Sequence, residues 1–259
     1  MFSQLLNSFL ESSYEHVLAP GIQKISLPLH SQPLDFKLSY SPRRTRISLQ
    51  VSVDGIFCKA PVNTPAKYIH RLFEQKQAWL LQTLARLESF ETSRMDWVNG
   101  GEFLYLGDWV KATFHRGGKF HQRFCRQSAT LTITVPNSVK HVEKYTKQKF
   151  NLFIQQQAEE VIRPRFEQLV SALPFAPTGL EFKIYQRRWG CCYKHGLIRI
   201  NPQLIGATPS VIDCVLIHEL CHLEHMDHSS AFWLLNDKHC GKCKENDAWL
   251  KHYAYALKN

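Results

Sequence analysis

Apolar residues occupy alternate positions in several short segments between residues 34 and 135, and a period of two indicates a strand with one buried face. Asp54-Gly55, between two of these segments, is a strong signal for a hairpin turn. Residues 119–126 are basic and follow a Gly-Gly pair, so they are predicted to form a loop. The predicted strands are residues 36–40, 47–53, 56–60, 103–106, 109–114 and 129–135.

Helical periodicity is more prominent in the rest of the chain. Thr64-Pro65 predicts the start of a helix whose apolar stripe continues to Leu87. A longer series with a period near 3.6 runs from Phe150 to Leu173, and Pro164 within it predicts a kink or a break. Shorter patterns predict two strands and two final helices, at residues 181–185, 197–200, 230–236 and 246–257.

These patterns together predict an α+β fold in three parts. Residues 1–33 have no clean period and contain several prolines, so we interpret them as an N-terminal extension with one short helix. Residues 34–137 are predicted to form a β-rich N-terminal subdomain, and residues 138–259 a mainly helical subdomain with a small sheet. No internal repeat is recognisable in the sequence.

The clearest chemical signal is His218-Glu219-x-x-His222, in an apolar stretch that follows Thr208-Pro209, a helix-start pair. Residues four apart share a helix face, so both histidines can bind one metal ion with Glu219 beside a bound water. A catalytic zinc takes three protein ligands and lowers the pKa of that water to about 7. The alternative is a structural helix, but burying these groups in a dry core is costly unless they are paired or bind metal.

Two later histidines could supply the third ligand. On a continuous helix His225 would lie about 10 Å along the axis from His218, farther than metal–nitrogen bonds of about 2.1 Å can span. His228 can reach the metal only if the chain leaves the helix near Met226-Asp227 and turns back, a conformation that Asp favours. We therefore predict His228 as the third ligand and assign His225 to the surface or to the layer behind the ligands.

Composition narrows the class of protein. The hydrophobic content of 44% and charged content of 21% are typical of a soluble globular protein. No apolar run reaches the roughly 18 residues of a membrane span, so we predict no membrane partner. The eight cysteines do not resemble a disulfide framework, and the N-terminus lacks the features of a signal peptide, which together predict a cytoplasmic protein. The net charge of +10 indicates either a solvated basic surface, which we favour, or attraction for nucleic acid or nucleotide.

A second cysteine motif lies near the C-terminus. Cys240-Gly-Lys-Cys243, preceded by His239, has the spacing of half a structural metal site or of a redox pair. The sequence contains no second CxxC, because Cys191 and Cys192 are adjacent. We therefore favour two free cysteines in a loop before the last helix.

Four blocks of sequence together resemble the YgjP-like metallopeptidase family, which is related to the SprT-like proteases and the zincin-like hydrolases. Weaker matches extend back to Arg44. The chain departs from the family pattern at Cys191, Tyr193 and Cys221, where Ser, Ser and Ala are common. The four blocks are Arg188-Trp-Gly-Cys-Cys192, Gly196-Leu-Ile-Arg-Ile-Asn201, His218-Glu-Leu-Cys-His222 and His228-Ser-x-x-Phe-Trp233.

The resemblance implies a zincin-like catalytic subdomain with a single catalytic Zn²⁺ held by three histidines and with Glu219 as general base. It also implies that an edge strand near residues 197–200 pairs with an extended peptide. Trp189 and Trp233 are interpreted as core aromatics. Three residues are predicted to contact the substrate: Arg188, Tyr193 and His195.

Peptide hydrolysis is the leading functional hypothesis, with two alternatives. A nucleoside triphosphate pyrophosphatase or phosphohydrolase could use the same centre, because Arg187, Arg188 and Lys194 would attract phosphates. The third hypothesis is a DNA-associated SprT-like protease or a nucleic-acid-binding module, which predicts steeply salt-dependent DNA binding.

Overall fold

The computed structural model describes residues 16–52, 54–91 and 95–258. The chain forms two compact units, Met1–Glu91 and Thr92–Asn259. Both units combine strands with long helices, which confirms the predicted α+β class. The predicted divisions after residues 33 and 137 stay predictions. Residues 1–15 of the predicted extension, and Val53 at the end of a predicted strand, lie outside the described residues.

The first unit contains a four-stranded mixed sheet and a long helix. The strands are β1 (Gly21–Leu27), β2 (His30–Ser41), β3 (Ser48–Ser52) and β4 (Gly55–Pro61). They are ordered β1-β2-β4-β3, with β2 and β4 parallel and the two outer pairs antiparallel. Helix α1 (Ala66–Glu91) follows. A core joins the sheet to this helix, and it includes Ile25, Leu27, Phe36, Leu38, Ile56, Cys58, Ile69, Phe73 and Leu80.

The short helix predicted before residue 34 does not lie in the described part of that segment, residues 16–33. Residues 21–33 form β1 and the start of β2 instead. Ile25 and Leu27 alternate with exposed residues and are buried, which is a strand pattern only two apolar positions long. Pro33 is tolerated because it lies beside the irregularity in β1 and before Phe36, where the β2–β4 pairing begins.

The larger of the two sheets in the second unit is also four-stranded and has the same connectivity as the sheet of the first unit. Its strands are β5 (Gly100–Tyr105), β6 (Asp108–Gly117), β7 (His121–Cys125) and β8 (Thr130–Pro136). They are ordered β5-β6-β8-β7, again with the central pair parallel. Strand β7 corrects the loop predicted at residues 119–126. It is a half-exposed edge strand, and basic residues are common on such strands because charge prevents further pairing.

The two four-stranded sheets therefore share one arrangement of strands. The strands follow the order first, second, fourth, third, the last strand ends on a proline (Pro61 or Pro136), and a long helix comes next. In the second unit this helix is α2 (Val142–Ala172). Pro164 lies inside α2 without ending it, contrary to the predicted break. Buried Ile162 and Phe166 on either side hold the helix against its neighbours, and this packing offsets the lost backbone hydrogen bond.

A small sheet precedes the histidine motif. Its strands are β9 (Gly179–Phe182), β10 (Gly190–Cys192) and β11 (Leu197–Ile200), in the order β10-β11-β9. Strand β11 is therefore central, and the prediction that residues 197–200 form an edge strand is wrong. The edge strand next to the histidine motif is β10, a three-residue segment too short to be recognised by its periodicity.

Three helices complete the second unit: α3 (Pro209–Cys221), α4 (Ser230–His239) and α5 (Cys243–Tyr253). Single 3₁₀ turns lie at Pro202–Gly206 and Ala256–Lys258. Within the described residues, no helix is long and apolar enough to cross a membrane.

The start of α3 is fixed by the larger sheet. Thr208 is the N-cap, as predicted, and its hydroxyl accepts a hydrogen bond from the Val211 N–H. The tight turn between β5 and β6 packs against this cap, because the backbone N–H of Leu106 donates to Ile205 and that of Gly107 to Gly206. A Cβ on Gly107 would lie 2.6 Å from the Thr208 methyl group, so a glycine is required for this close approach.

A bidentate ion pair joins α2 to α3. Arg165 Nε lies 2.8 Å from Asp213 Oδ1, and Arg165 Nη2 lies 2.5 Å from Asp213 Oδ2. The paired geometry fixes the guanidinium and carboxylate planes relative to each other. The helix that carries the histidine motif is thus held at its N-terminus by the β5–β6 turn and along its side by α2.

Candidate metal centre

The segment that carries the predicted third ligand leaves the helix earlier than expected. Helix α3 ends at Cys221, with His222 as its C-cap, and the next residues form a turn. The N–H groups of Glu224 and His225 both donate to the Cys221 carbonyl. The predicted end near Met226-Asp227 is therefore several residues too late.

The return of the chain is stabilised by local capping. The Asp227 carboxylate accepts a hydrogen bond of 3.0 Å from the Ser229 N–H. Ser229 in turn caps α4, because its hydroxyl accepts from the Phe232 N–H. Both capping residues flank His228, so its backbone is held between two ordered turns.

Three imidazole rings meet where this segment crosses α3. Nitrogen atoms of His218, His222 and His228 all lie within 4.8 Å of one another. Between His218 and His228, the Nε2 atoms are 3.2 Å apart. The sequence-predicted ligand set is therefore brought together by the fold, whereas His225 contributes its backbone rather than its ring.

The backbone of His225 orients one of these rings. Nδ1 of His222 lies 2.9 Å from the His225 carbonyl oxygen, which can only accept, so this nitrogen carries the proton. The tautomer leaves the Nε2 lone pair of His222 free to bind a metal. Such outer contacts fix the ring orientation of metal ligands and raise their basicity.

The floor beneath the three rings is Phe232 of α4. Its side chain is fully buried, and its ring centroid lies 4.5 to 4.9 Å from each of the three imidazoles. Trp233 stands beside His218 and His228 but is 46% exposed, so its predicted place in the core is wrong. Trp189 is half-buried, and Lys258 Nζ lies 4.8 Å above its ring.

Glu219 lies beside the histidines in a buried setting. Its side chain is 5% exposed and packs against Gly190 of β10, where a Cβ would come within 2.6 Å of Glu219 Oε1. Burial raises the pKa of this carboxyl to about 8, against the opposing effects of the Arg188 charge and a backbone hydrogen bond with Cys192. Strand β10 thus limits the position of this carboxylate, and its burial raises the proton affinity.

The histidine set fits a zinc ion. Burial, reinforced by the neighbouring histidines, lowers the pKa of His218 to about 4, and burial also lowers the pKa of His222. Both rings are therefore neutral near pH 7, as metal ligands must be. Zinc–nitrogen bonds of about 2.05 Å in a tetrahedron place two nitrogens about 3.3 Å apart. The separation of 3.2 Å between His218 and His228 is close to that value.

A cavity of about 680 Å³ opens beside the centre. His218, Glu219 and Arg188 line it, so one of the three predicted substrate contacts faces this space. The other two, Tyr193 and His195, are not among its lining residues in the described part of the chain. The centroids of their rings lie 5.6 Å apart. The Tyr193 hydroxyl accepts a hydrogen bond of 2.7 Å from Arg199 Nη1. Substrate contact by these two residues stays a prediction.

Asn201 is a positioning residue that the sequence analysis passed over. It is fully buried, and its amide donates to the Tyr185 and Arg188 carbonyls, at 3.0 and 3.4 Å. Its side-chain oxygen accepts from the Gln203 N–H. Asn201 thereby holds the loop that leads into β10. In the sequence, the structural role of Asn201 is indicated by the Asn-Pro pair at residues 201–202, which is a signal for the start of a helical turn.

The YgjP-like metallopeptidase domain matches residues 45–253, more than three quarters of the chain. The chain belongs to the YgjP-like metallopeptidase family. This confirms the resemblance inferred from the sequence blocks. Membership of the YgjP-like family supports a metal-dependent hydrolase, and the converged histidines provide the metal-binding group that such an enzyme requires.

Structural comparison adds one partial similarity. The YgjP-like chain is similar to the crystal structure of the metallopeptidase zymogen of Pyrococcus abyssi abylysin. The match covers 35% of this chain and 93% of the other, with 22% identity and a TM-score of 0.32. No curated protein matches the chain.

Proposed function

We propose that this protein is a zinc-dependent metallopeptidase in which His218, His222 and His228 hold one Zn²⁺ and Glu219 is the general base. The observation that carries the proposal is the convergence of three imidazole nitrogens within 4.8 Å, next to a buried glutamate. Bound zinc would polarise the scissile carbonyl and lower the pKa of the attacking water.

Glu219 is suited to proton transfer by its surroundings. Because burial raises its pKa to about 8, its carboxylate has a higher affinity for a proton than an exposed glutamate has. It takes the proton of the attacking water and delivers it to the leaving nitrogen of the peptide. The contact with Gly190 restricts the carboxylate to one side of the cavity.

Strand β10 is the proposed binding edge for an extended peptide. It pairs with β11 on one side, and its first residue, Gly190, both contacts Glu219 and lines the cavity. A peptide added to the other side would pair through its main chain and lie beside the catalytic carboxylate.

The lining of the cavity favours a peptide over a nucleotide. Its wall is largely apolar, and the charges around it have both signs. Arg187 and Lys194, which the nucleotide hypothesis requires near the phosphates, are not among its described lining residues. The apolar lining residues include Trp189, Val211, Val215, Trp233 and Leu250, and the charged lining residues other than Glu219 are Arg188, Asp237, Lys244, Asp247 and Lys251.

A substrate screen tests this assignment. Zinc-loaded full-length protein is incubated with a reduced, unfolded protein and, separately, with the common nucleoside triphosphates. We expect peptide fragments by mass spectrometry and no release of phosphate or pyrophosphate. Nucleotide hydrolysis without peptide cleavage would overturn the peptidase assignment in favour of a phosphohydrolase. Cleavage that requires added duplex DNA would support the DNA-associated protease instead.

Gly190→Ala tests the contact between β10 and the general base. The new methyl group would lie 2.6 to 2.8 Å from the Oε1, Cγ and Cδ atoms of Glu219, so the carboxylate must move. A displacement of about 1 Å at a catalytic group can cost on the order of 10²-fold in rate. We expect a loss of kcat of that size with unchanged zinc content, measured on the peptide substrate.

Gly118→Ala is the matched control, because a Cβ there meets no atom within 4 Å. Its kcat is expected to equal that of the unaltered protein. Full activity of Gly190→Ala would mean that the β10 contact does not position Glu219.

A further inference from the structure

A second group of metal-binding side chains lies one helical turn from the histidine centre, and two of its members, Cys214 and Cys243, line the same cavity as His218 and Glu219. Sγ atoms of Cys214, Cys240 and Cys243 all lie within 4.8 Å of one another. They come from three elements, because Cys214 is on α3, Cys240 is the C-cap of α4 and Cys243 is the first residue of α5. We call these residues the thiol cluster. The predicted pair of free loop cysteines therefore has a third thiol beside it, contributed by a helix 26 residues earlier in the chain.

Cys243 has two polar contacts in this cluster, one of them a hydrogen bond of 3.0 Å that its Sγ donates to the Cys240 carbonyl. The Asn236 amide nitrogen donates to Cys243 Sγ at 3.1 Å. Helix α5 begins at Cys243, and its N-cap, Lys242, provides no side-chain hydrogen bond to the exposed N–H groups.

Two buried polar atoms beside these cysteines lack hydrogen-bond partners among the described residues. They are Asn236 Oδ1, on the amide that contacts Cys243, and His239 Nε2, on the residue before Cys240. Such atoms are rare in folded proteins, since a buried polar atom without a partner is destabilising. Of the two, Asn236 Oδ1 lies on the side-chain amide that contacts Cys243 Sγ, so a polar atom of the kind that a metal ion binds is present beside the thiols without a partner.

We propose that the thiol cluster binds a thiolate-preferring metal ion, with Zn²⁺ as the expected occupant, separately from the histidine centre. Zinc–sulfur bonds of about 2.3 Å place two sulfurs about 3.8 Å apart in a tetrahedron. Thiols already within 4.8 Å need to move by about 1 Å or less to reach this geometry. Soft thiolate ligands exclude Mg²⁺ and Ca²⁺ and favour Zn²⁺ or Cu⁺.

The position of the thiol cluster gives the ion a structural role. Cys214 precedes His218 by four residues on α3, and α4 carries Phe232, the floor of the histidine centre, ahead of Cys240. An ion at the thiol cluster would join α3, α4 and the start of α5. The helix bearing two ligands of the histidine centre would thereby be fixed to the helix that packs beneath it.

Metal content of purified full-length variants tests the proposal. After expression with added zinc, elemental analysis is expected to give two zinc ions per chain for the unaltered protein and one for His222→Ala. The double variant Cys240→Ser/Cys243→Ser is also expected to hold one, and Cys125→Ser, a half-buried cysteine on β7, is the control that keeps two. A zinc content that the double variant leaves unchanged would overturn the proposal.

Cobalt substitution provides a readout in a protein whose cysteines are intact. Co²⁺ loaded into His222→Ala should produce thiolate-to-cobalt charge-transfer absorption, which imidazole ligands do not give. Absence of this band, or a disulfide between two of the three cysteines under reducing purification, would overturn the metal assignment. If the unaltered protein holds a single zinc that Cys240→Ser/Cys243→Ser removes and His222→Ala does not, the thiol site stands and the proposed catalytic centre fails.

Discussion

Glu219→Gln is expected to lower kcat by about 10²–10⁴-fold, the usual contribution of a general acid–base residue. Glutamine has nearly the same shape but cannot take up the proton of the attacking water. The zinc content should not change, because the three imidazoles are untouched. Steady-state kinetics on the peptide substrate, together with elemental analysis of the same preparation, measures both effects.

Glu224→Gln is the matched control, since Glu224 is exposed on the turn after α3. Its kcat should be unaltered. A Glu219→Gln protein with full turnover would exclude Glu219 as the base. Loss of zinc together with turnover would instead show that Glu219 supports the metal site rather than proton transfer.

His222→Ala is expected to remove the zinc of the histidine centre and with it all measurable turnover. Replacing an outer partner of a metal ligand already costs about 10–100-fold in metal affinity, so removal of a ligand should cost more. To measure the loss, each protein is incubated with a chelator and dialysed, and the zinc that remains bound is determined by elemental analysis. His228→Ala should behave in the same way if His228 is the third ligand.

His225→Ala separates the two possible third ligands. The substitution removes the imidazole of His225 but keeps the carbonyl to which His222 Nδ1 donates. Zinc retention and kcat should therefore remain close to those of the unaltered protein. Loss of zinc in His225→Ala with retention in His228→Ala would contradict the assignment of His228.

Local signals in the sequence were sufficient to predict the elements around the histidine motif. Thr208-Pro209 marks the start of α3 because Thr208 is its N-cap and Pro209 occupies the first helical position. His228 was predicted as the third ligand by exclusion, because the other candidate, His225, could not reach the metal on a continuous helix. The position of the helix end could not be predicted, because it depends on the turn after Cys221 and on the packing of Phe232 against the rings.

Features that depend on long-range pairing were not predictable from local periodicity. β10 has three residues, and its place at the sheet edge follows from its pairing with β11. Gly190 carries no pattern that reveals its contact with Glu219. Cys214 lies on a helix far from the CxxC motif in sequence, so no spacing rule includes it. β1 was missed because its alternation covers only two apolar positions, and β7 was missed because its sequence is basic.

The family match begins at residue 45, between β2 and β3, although the sheet begins at β1. Strand β2 pairs with β4 from Phe36 to Ser41, and the facing Cys58 and Ala60 are fully buried. A recombinant fragment that starts at residue 45 would keep only the β3–β4 hairpin of this sheet. The edge of β4 that pairs with β2 would then be exposed and could pair with a strand of another molecule. Fragment boundaries for this protein should therefore follow hydrogen-bonded neighbours in space, with the cut placed no later than His16, whose carbonyl accepts a hydrogen bond from the Ala66 N–H.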